Sequence, residues 1–394
     1  MHSHWKRACE ALIALTLGML AAGAAEPGPI RLGASLSLTG TYAVPAQNQL
    51  RGYQLCGKQV NEKGGVRGRK IEVTFYDDKS DPATAVRLYE KLITQDKVEG
   101  VLGPYSSGIA EAVANVTEKY KMPMIPPLAA ATSIYKKGRK YVFMIVAPAE
   151  RFLEGFLEVG AKNGLKTVAI INEDTLFPKA TAQGALELAR RLGVRVVLAE
   201  AYPKGNTDFS ALLTKIRAVN PDMLAAAAYF DDAVAITRQM KELNVNPRMY
   251  GVTVGPDLPK FYDLLGKNAE FVYGATLWEP DLPYPGAREF AEAYRKDFPG
   301  ADLSYHSAAG YAGCQLLVEG IRRAGSTDGD RVRDALLKLE LNTMFGPYRV
   351  DQDGFQVAKG VVLFQWQDGR KVMVFPDEVA TGKPRFPTPP WNQR

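Results

Sequence analysis

The chain alternates short apolar runs with segments in which apolar residues recur every three or four positions. Residues 30–36 predict a buried strand, and the spacing of Leu50 and Tyr53 in the next segment predicts a helix. Neighbouring parallel strands must be joined by a long crossover, which is usually a helix, so this alternation is typical of a parallel sheet with helices on both faces. The pattern predicts an α/β fold.

The same alternation starts again at residues 168–171 and continues beyond residues 249–254. Two such series indicate two Rossmann-like, doubly wound lobes, each with its own core. The dipeptide Asp368-Gly369 between two further apolar runs predicts a closing hairpin, because it favours the tight turn that joins antiparallel strands. Helical periodicity also covers residues 285–298, 305–323 and 328–339.

Three stretches with proline or glycine beside a strand end predict hinge crossings between the lobes. They lie around Val146-Ala147-Pro148, Trp278-Glu279-Pro280 and Phe345-Gly346-Pro347. These crossings divide the mature chain into a first lobe, residues 26–146 and 280–345, and a second lobe, residues 147–279 and 346–394. The proline-rich residues 382–391 should lie extended on the surface.

Residues 1–25 have the pattern of a secretory signal peptide. Lys6 and Arg7 precede an apolar run over residues 11–20, and small residues follow it. This run is shorter than the ~20 residues that cross a bilayer, and Cys9 lies before it rather than at its end, where a lipid-anchored cysteine would stand. The sequence therefore predicts an exported, periplasmic protein.

The formal net charge of +6 over 394 residues is weak and scattered, so we expect no nucleic-acid partner. It is compatible with an anionic ligand. Cleavage of the signal would leave two cysteines, Cys56 and Cys314. In an oxidising compartment the pair either forms a disulfide or remains as two buried thiols, and the sequence leaves both alternatives open.

Side chains that enzymes use for catalysis are scarce in this chain. His306 is the only histidine after the predicted signal, and its position at the start of a predicted helix is typical of a capping or packing group. No HExxH, CxxC or phosphate-loop motif occurs, and the first strand is not followed by the glycines of a dinucleotide site. Asp77, Asp78 and Asp81 lack the spacing of a calcium loop and suit turns and caps. We expect no catalysis, no cofactor and no metal.

The loop at residues 103–108 follows a predicted strand and precedes a predicted helix. Free backbone N–H groups, the hydroxyls of Ser106 and Ser107 and the positive end of the helix dipole converge there, as in sites that bind a carboxylate. A plain serine N-cap gives the same pattern, since every such turn needs a cap. The residues alone leave these two interpretations open.

Several short motifs follow one another along the chain. They are residues 37–40 (SLTG), 60–69 (VNEKGGVRGR), 76–78 (YDD), 81–82 (DP), 103–108 (GPYSSG), 138–143 (GRKYVF), 208–213 (DFSALL) and 220–222 (NPD). In this order they resemble the type I periplasmic binding proteins of the leucine/isoleucine/valine-binding group, the solute receptors of ABC importers. The resemblance implies two doubly wound lobes that close on a ligand like a Venus flytrap.

In that family the loop that matches Ser106 and Ser107 binds the ligand carboxylate, so the resemblance assigns this role to both serines. Further contacts come from a small-residue loop and from aromatic residues of the second lobe. The matching residues here are Leu128, Ala129, Ala130, Phe177 and Tyr229. We add Tyr42 and Tyr105 as candidate walls of the cleft, with core packing as the alternative for each aromatic residue.

The chain departs from the amino-acid binders after the strand that ends near Gly251. Those proteins carry a carboxylate there for the ligand ammonium, whereas this chain has Thr253, and its first acid is Asp257. A buried ammonium without an anionic partner is costly, so an ordinary α-amino acid is disfavoured unless Asp257 or Asp231 substitutes. We hypothesise a small carboxylate with an aromatic or branched body as the ligand, and we keep Thr253 and Asp257 as candidate contacts.

The resulting expectation is a monomeric receptor that closes on its ligand and presents it to an ABC permease in the inner membrane. The alternative is an exported sensor that presents its ligand to a membrane receptor. Both would use the same cleft, so the sequence does not separate them.

Overall fold

Buried apolar strands form one sheet in each lobe of the computed structural model, which describes residues 28–394. The predicted signal peptide, residues 1–25, lies outside the described residues. The strands of the first lobe are β1 Ile30–Leu36, β2 Ile71–Asp77, β3 Gly100–Leu102 and β4 Met124–Ile125. They are all parallel and lie in the order β2-β1-β3-β4.

The second sheet has seven strands. In chain order, the remaining strands are β5 Thr167–Glu173, β6 Arg195–Tyr202, β7 Met223–Ala227, β8 Met249–Val252, β9 Tyr273–Thr276, β10 Leu341–Thr343, β11 Gly346–Tyr348, β12 Val362–Gln367 and β13 Arg370–Phe375. The second sheet has the order β13-β12-β9-β8-β7-β5-β6, and β10 pairs with β11 separately. Asp368 and Gly369 adopt φ of 52° and 72° between β12 and β13, the left-handed conformation that this tight turn requires, which confirms the predicted hairpin.

Helices cover both sheets, and they confirm the predicted α/β architecture. Within residues 28–394 they are α1 Ala43–Glu62, α2 Pro82–Thr94, α3 Ser107–Lys119, α4 Glu154–Lys162, α5 Leu176–Arg191, α6 Ser210–Val219, α7 Phe230–Glu242, α8 Pro259–Leu265, α9 Ala287–Asp297, α10 Tyr305–Ala324 and α11 Gly329–Leu337. Asp81 accepts a hydrogen bond from the Thr84 N–H at 2.7 Å, so it caps α2 as its place before Pro82 predicts.

Helices α1 and α10 lie in unusually close contact in the first lobe. A Cβ atom at Gly52 would lie 2.1 Å from the carbonyl oxygen of Ser307, and one at Gly310 would lie 2.4 Å from that of Gln49. Only glycine permits this approach, since any side chain would overlap the facing backbone. A disulfide between Cys56 and Cys314 links the same two helices, which settles the alternative that the sequence left open.

The stretch predicted as the third crossing contacts the first lobe. Gly346 begins β11, directly after the turn of the β10–β11 hairpin. The Met144 N–H donates to the Gly354 carbonyl at 2.8 Å, which keeps this segment on the first lobe. Phe345 and Tyr348 belong to the core of the first lobe for the same reason. We propose that the chain crosses between Gln356 and Val362.

The proline-rich tail has no helix or strand over residues 382–390, as its composition predicts. It is nevertheless attached to the second lobe. The Arg385 N–H donates to the Gln365 side chain at 2.8 Å, and the buried Trp391 indole donates to the Val245 carbonyl at 2.9 Å. The tail therefore follows the lobe surface and ends in a packed position.

Candidate functional site

The loop at residues 103–108 brings the start of α3 to the space between the lobes. Ser106 has φ of 74° and caps the helix, with its hydroxyl accepting a hydrogen bond from the Ile109 N–H at 3.4 Å. A positive φ is costly for serine and needs support from its surroundings. Gly103 of the same loop packs closely against the next loop, because a Cβ there would lie 2.2 Å from the Cα of Pro126.

Ser107 joins this helix start to the small-residue loop. Its hydroxyl oxygen is fully buried and accepts hydrogen bonds from the N–H groups of Ala130 at 3.0 Å and Ala131 at 3.2 Å. A serine hydroxyl has two acceptor lone pairs and one proton. Both acceptor positions are used, so the proton is the remaining hydrogen-bonding capacity of Ser107.

A cavity lies next to this loop, between the two lobes. The cavity is small, with a volume of about 20 Å³. Its lining residues are Tyr105, Leu128, Ala130, Val146, Phe152, Phe177, Tyr229, Val254, Leu277 and Tyr305. The lining thus combines aliphatic groups with aromatic rings and has no charged side chain among the described residues.

Aromatic rings from both lobes meet around the cavity. The ring of Tyr229 lies 4.7 Å from that of Tyr42, 6.2 Å from that of Tyr105 and 5.7 Å from that of Phe177, measured between centroids. Phe177 packs edge-on against Phe152 at 5.0 Å. These separations are favourable for aromatic pairs, so the cluster stabilises the contact between the lobes and gives the cavity flat, apolar walls.

Three tyrosines line the cavity, and the phenols of Tyr105 and Tyr305 come from the first lobe. Tyr105 and Tyr305 are each 2% exposed, and neither hydroxyl has a hydrogen-bond partner among residues 28–394. Burial raises the pKa of both phenols, so both stay protonated and can donate a hydrogen bond. Buried hydroxyls normally have partners, which makes these two candidates for contact with a ligand.

Two of the candidate contacts are engaged elsewhere. The Thr253 hydroxyl donates to the Ala228 carbonyl at 3.0 Å and accepts from the Ala228 N–H at 3.1 Å, so it joins the ends of β7 and β8. Asp257 is fully buried, and its carboxylate lies 3.3 Å from the Lys371 ammonium. Its charge is thus already paired within the protein, and Val254 lines the cavity instead of Thr253.

Ala129 and Tyr42 lie behind the lining. The Ala129 carbonyl accepts from the Tyr135 hydroxyl at 2.8 Å, which fixes the loop whose neighbours Leu128 and Ala130 reach the cavity. Tyr42 of the first lobe donates from its hydroxyl to Glu173 of the second lobe at 3.3 Å. The bond of Tyr42 can form only while the lobes are close together.

A second interlobe contact lies beside Tyr42. Lys204 donates to the Ser80 carbonyl at 2.7 Å, from the second lobe to the first, and its ammonium lies 4.2 Å from the centre of the Tyr42 ring. Burial raises the pKa of Glu173, and burial together with the charge of Glu173 raises the pKa of Asp232 to about 7. The pair formed by Glu173 and Asp232 therefore retains a proton at a pH at which exposed carboxyl groups are ionised.

The sequence analysis did not anticipate several of these residues. Tyr305 follows the cap Ser304 at a predicted helix start, which is a position where a side chain can face a cleft, but its pattern is also that of a core residue. Phe152 lies just after the first predicted crossing and Leu277 just before the second, where a lining residue is expected in any hinged cleft. Glu173 ends β5, and only the fold brings it to Tyr42.

Both the sequence and the fold are similar to those of known proteins. A family model described as periplasmic binding protein matches residues 29–371. The chain belongs to this family. The predicted resemblance and the predicted fold class are therefore confirmed, and the proteins of this kind that it matches are substrate-binding proteins rather than enzymes.

Individual relatives of this periplasmic binding protein are distant. Leu/Ile/Val-binding protein homolog 7 of Brucella melitensis is 28% identical, over 95% of this chain and 99% of its own length. The isoleucine-bound substrate-binding protein LivJ of Streptococcus pneumoniae is 24% identical with a TM-score of 0.81, over 88% of this chain and 100% of its own. A benzoate-bound solute-binding protein of an ABC transporter from R. palustris is 20% identical with a TM-score of 0.80, over 88% and 96%.

The helices of this periplasmic binding protein were also compared with the length and apolarity that a bilayer requires. Within residues 28–394, none is both long enough and apolar enough to cross a bilayer.

Proposed function

We propose that this protein is the solute receptor of an ABC importer and captures a small carboxylate with an aromatic or branched apolar body. The observation that carries the proposal is the cavity between the lobes, which combines aromatic walls with unpartnered phenol donors and a helix start. After closure the receptor hands the ligand to a permease in the inner membrane. The signal-like residues 1–25 support export to the periplasm.

The acid group of the ligand is held by neutral donors. The Ser107 proton, the N–H groups at the start of α3 and the phenols of Tyr105 and Tyr305 all lie at or beside the cavity. A helix N-terminus stabilises a carboxylate through its free N–H groups and its dipole, so a cationic side chain is not required. Ser106 and Ser107 are thus proposed to act as the anion-binding loop, with Leu128 and Ala130 as packing contacts.

The apolar body of the ligand faces the aromatic cluster. Phe152, Phe177 and Tyr229 offer rings at angles that suit a further ring or a branched chain. The lining has no carboxylate among the described residues, and the nearby acid Asp257 is paired with Lys371. An ammonium group would remain unpaired in this cavity, which disfavours α-amino acids.

The structural neighbours offer both ligand types for comparison. The benzoate-bound protein shows that this fold accommodates an aromatic acid, and the isoleucine-bound protein shows that it accommodates an amino acid. The lining of this chain favours the first type. Because the walls leave little room, a ring-sized ligand needs a small separation of the lobes, which hinged lobes permit.

Two measurements test the proposal. Mass spectrometry of material released from freshly purified, denatured protein identifies a bound solute, and calorimetry compares benzoate, branched-chain keto acids, leucine, isoleucine and glutamate. We expect binding of an aromatic or branched acid and weaker binding of the amino acids. Tight binding of leucine or glutamate without any binding of the acids would refute the ligand class.

The role of Ser107 is tested with Ser107→Ala. We expect the dissociation constant to rise by about tenfold or more, because a hydrogen bond to a charged group is lost. The matched control is Ser35→Ala in the same lobe. Ser35 is fully buried and donates a hydrogen bond of 3.0 Å to Asp78, and it does not line the cavity. Equal dissociation constants for the two variants would show that Ser107 only connects the two loops and does not bind the ligand.

A further inference from the structure

A buried charged cluster lies where β8, β13 and the second crossing meet. Lys371 of β13 places its ammonium 3.3 Å from the Asp257 carboxylate and also donates to the Asp257 carbonyl at 3.1 Å and to the Glu279 carboxylate. The side chains of Asp257, Lys371 and Glu279 are 0%, 11% and 19% exposed. One cation thus faces two carboxylates, and leaving one of these charges unpaired would be costly.

The second oxygen of Asp257 points to the other lobe. It accepts a hydrogen bond at 3.3 Å from the backbone N–H of Tyr305, the first residue of α10. The next N–H, that of His306, is taken by the side chain of Ser304 within the first lobe at 3.2 Å. The start of α10 is therefore capped by two residues, one from its own lobe and one from the opposite lobe.

The His306 ring completes the surroundings of Asp257. Its Nδ1 lies 3.9 Å from the Asp257 carboxylate and 3.3 Å from the Ser304 hydroxyl. Burial lowers the pKa of His306 to about 3, so the ring is neutral and does not compete with Lys371 for the carboxylate. Asp257 therefore remains paired with one cation and with the first N–H of α10.

Tyr305 also lines the cavity with its phenol ring. Its backbone bond to Asp257 joins the lobes, and its side chain faces the space for the ligand. We propose that Asp257 is a positioning residue that couples the closure of the lobes to the placement of Tyr305 against the ligand. Lys371 and Glu279 hold the Asp257 carboxylate in the orientation that receives α10. The inference rests on the proposed function in so far as Tyr305 contacts a ligand.

This arrangement makes the contact specific to the closed state. When the lobes separate, α10 moves with the first lobe and Asp257 stays with the second, so the 3.3 Å bond must break. A contact that exists only in the closed state shifts the equilibrium towards closure and slows the release of the ligand. It does not speed the first encounter, which takes place in the open state.

The experiment compares Asp257→Ala and Asp257→Asn with Asp222→Ala. Asp222 is the matched control because its carboxylate also accepts backbone N–H groups, from Lys166 at 2.9 Å and Thr167 at 3.1 Å, but entirely within the second lobe. Binding and release of benzoate are followed by calorimetry and stopped-flow fluorescence. The distance between the lobes is measured by pulsed electron paramagnetic resonance with spin labels at Gln95→Cys and Lys215→Cys, both exposed.

For Asp257→Ala we expect a dissociation constant about tenfold or more above that of wild type, because the ligand dissociates faster. We also expect a smaller fraction of molecules with closed lobes. Asp257→Asn keeps an acceptor for the Tyr305 N–H, so it should restore most of the closed fraction and is the variant to measure if Asp257→Ala does not fold. Asp222→Ala should lower the free energy of unfolding while leaving the release rate and the closed fraction unchanged.

Two outcomes separate this inference from the proposed function. If benzoate fails to bind wild type, the proposed ligand class is in error, and the spin-label distances still compare the closed fraction of Asp257→Ala with that of wild type. Equal closed fractions and equal release rates in these two proteins would overturn the coupling. A wild-type protein whose lobes stay apart under every condition would overturn it as well.

Discussion

The contact between α1 and α10 gives a prediction that a single methyl group can test. In Gly52→Ala the new Cβ would lie 2.1 Å from the Ser307 carbonyl oxygen and 2.7 Å from the Tyr311 nitrogen. Both atoms belong to the backbone of a facing helix and cannot turn aside as a flexible side chain could. The two helices must therefore separate, although the Cys56–Cys314 disulfide links them nearby.

Gly57 on the same helix supplies the control. It is also buried and helical, but a Cβ there would meet only the side chains of Ile71 at 3.8 Å and Val73 at 4.0 Å, which is ordinary contact. Gly57→Ala should raise the free energy of unfolding by about 0.5–1 kcal/mol, because alanine favours the helix. Gly52→Ala should lower it by about 1–3 kcal/mol, since overpacking outweighs that gain.

The assay is urea unfolding followed by circular dichroism, with the midpoint and the slope fitted for both variants and wild type. The two variants should differ from each other by about 1.5–4 kcal/mol, and they should depart from wild type in opposite directions. Ligand affinity should fall in Gly52→Ala alone, because α1 follows Tyr42 and α10 begins at Tyr305. Equal midpoints for Gly52→Ala and Gly57→Ala would refute the argument that close helix packing requires glycine at position 52.

The remaining predictions concern charge and covalent links. Because the folded-state pKa of Asp232, about 7, lies above the value of an unfolded aspartate, the folded protein binds more protons and its stability should fall as pH rises from about 4 to 7. Asp232→Asn keeps an amide oxygen that can accept from Tyr202, so it should flatten this pH dependence and be more stable than wild type at pH 8. Thermal unfolding of both proteins across this pH range checks the prediction, and parallel curves of stability against pH would contradict it. The disulfide closes a loop between residues that are 258 apart in sequence, so Cys56→Ser/Cys314→Ser should lower the free energy of unfolding by about 2–5 kcal/mol. Urea unfolding measures this loss. An unchanged midpoint would show that helix packing alone holds α1 and α10 together.

The alternation of apolar runs and helical periodicity was sufficient to predict the two lobes and most of their elements. This is because a strand buried on both faces must be apolar throughout, while a helix over a sheet needs one apolar face. The turn at Asp368 and the cap at Asp81 were predictable for local reasons, since each is decided by the conformational preference of one or two residues. The stretch Phe345-Gly346-Pro347, predicted as the third crossing, takes part in the β10–β11 hairpin, because proline and glycine mark a tight hairpin as readily as a hinge.

The candidate site, like the fold, could be predicted from the sequence only in part. The anion-binding loop could be proposed from sequence, since the serines at the start of α3 act through their own helix. The pairing of Asp257 with Lys371 could not, because Asp257 lies in the turn after β8 and Lys371 lies on β13, and only the folding of the second lobe brings these distant segments together. The same holds for Tyr42 and Glu173, which belong to different lobes.

The sequence by itself therefore determined the class of fold, the export signal pattern and the helix start that could receive an acid, because all three follow from short-range composition and periodicity. Tertiary structure decided which side chains line the cavity and which charges are already paired. It also decided which contacts cross between the lobes. Those properties depend on distances between residues far apart in the chain, and such distances are set by packing rather than by local preference.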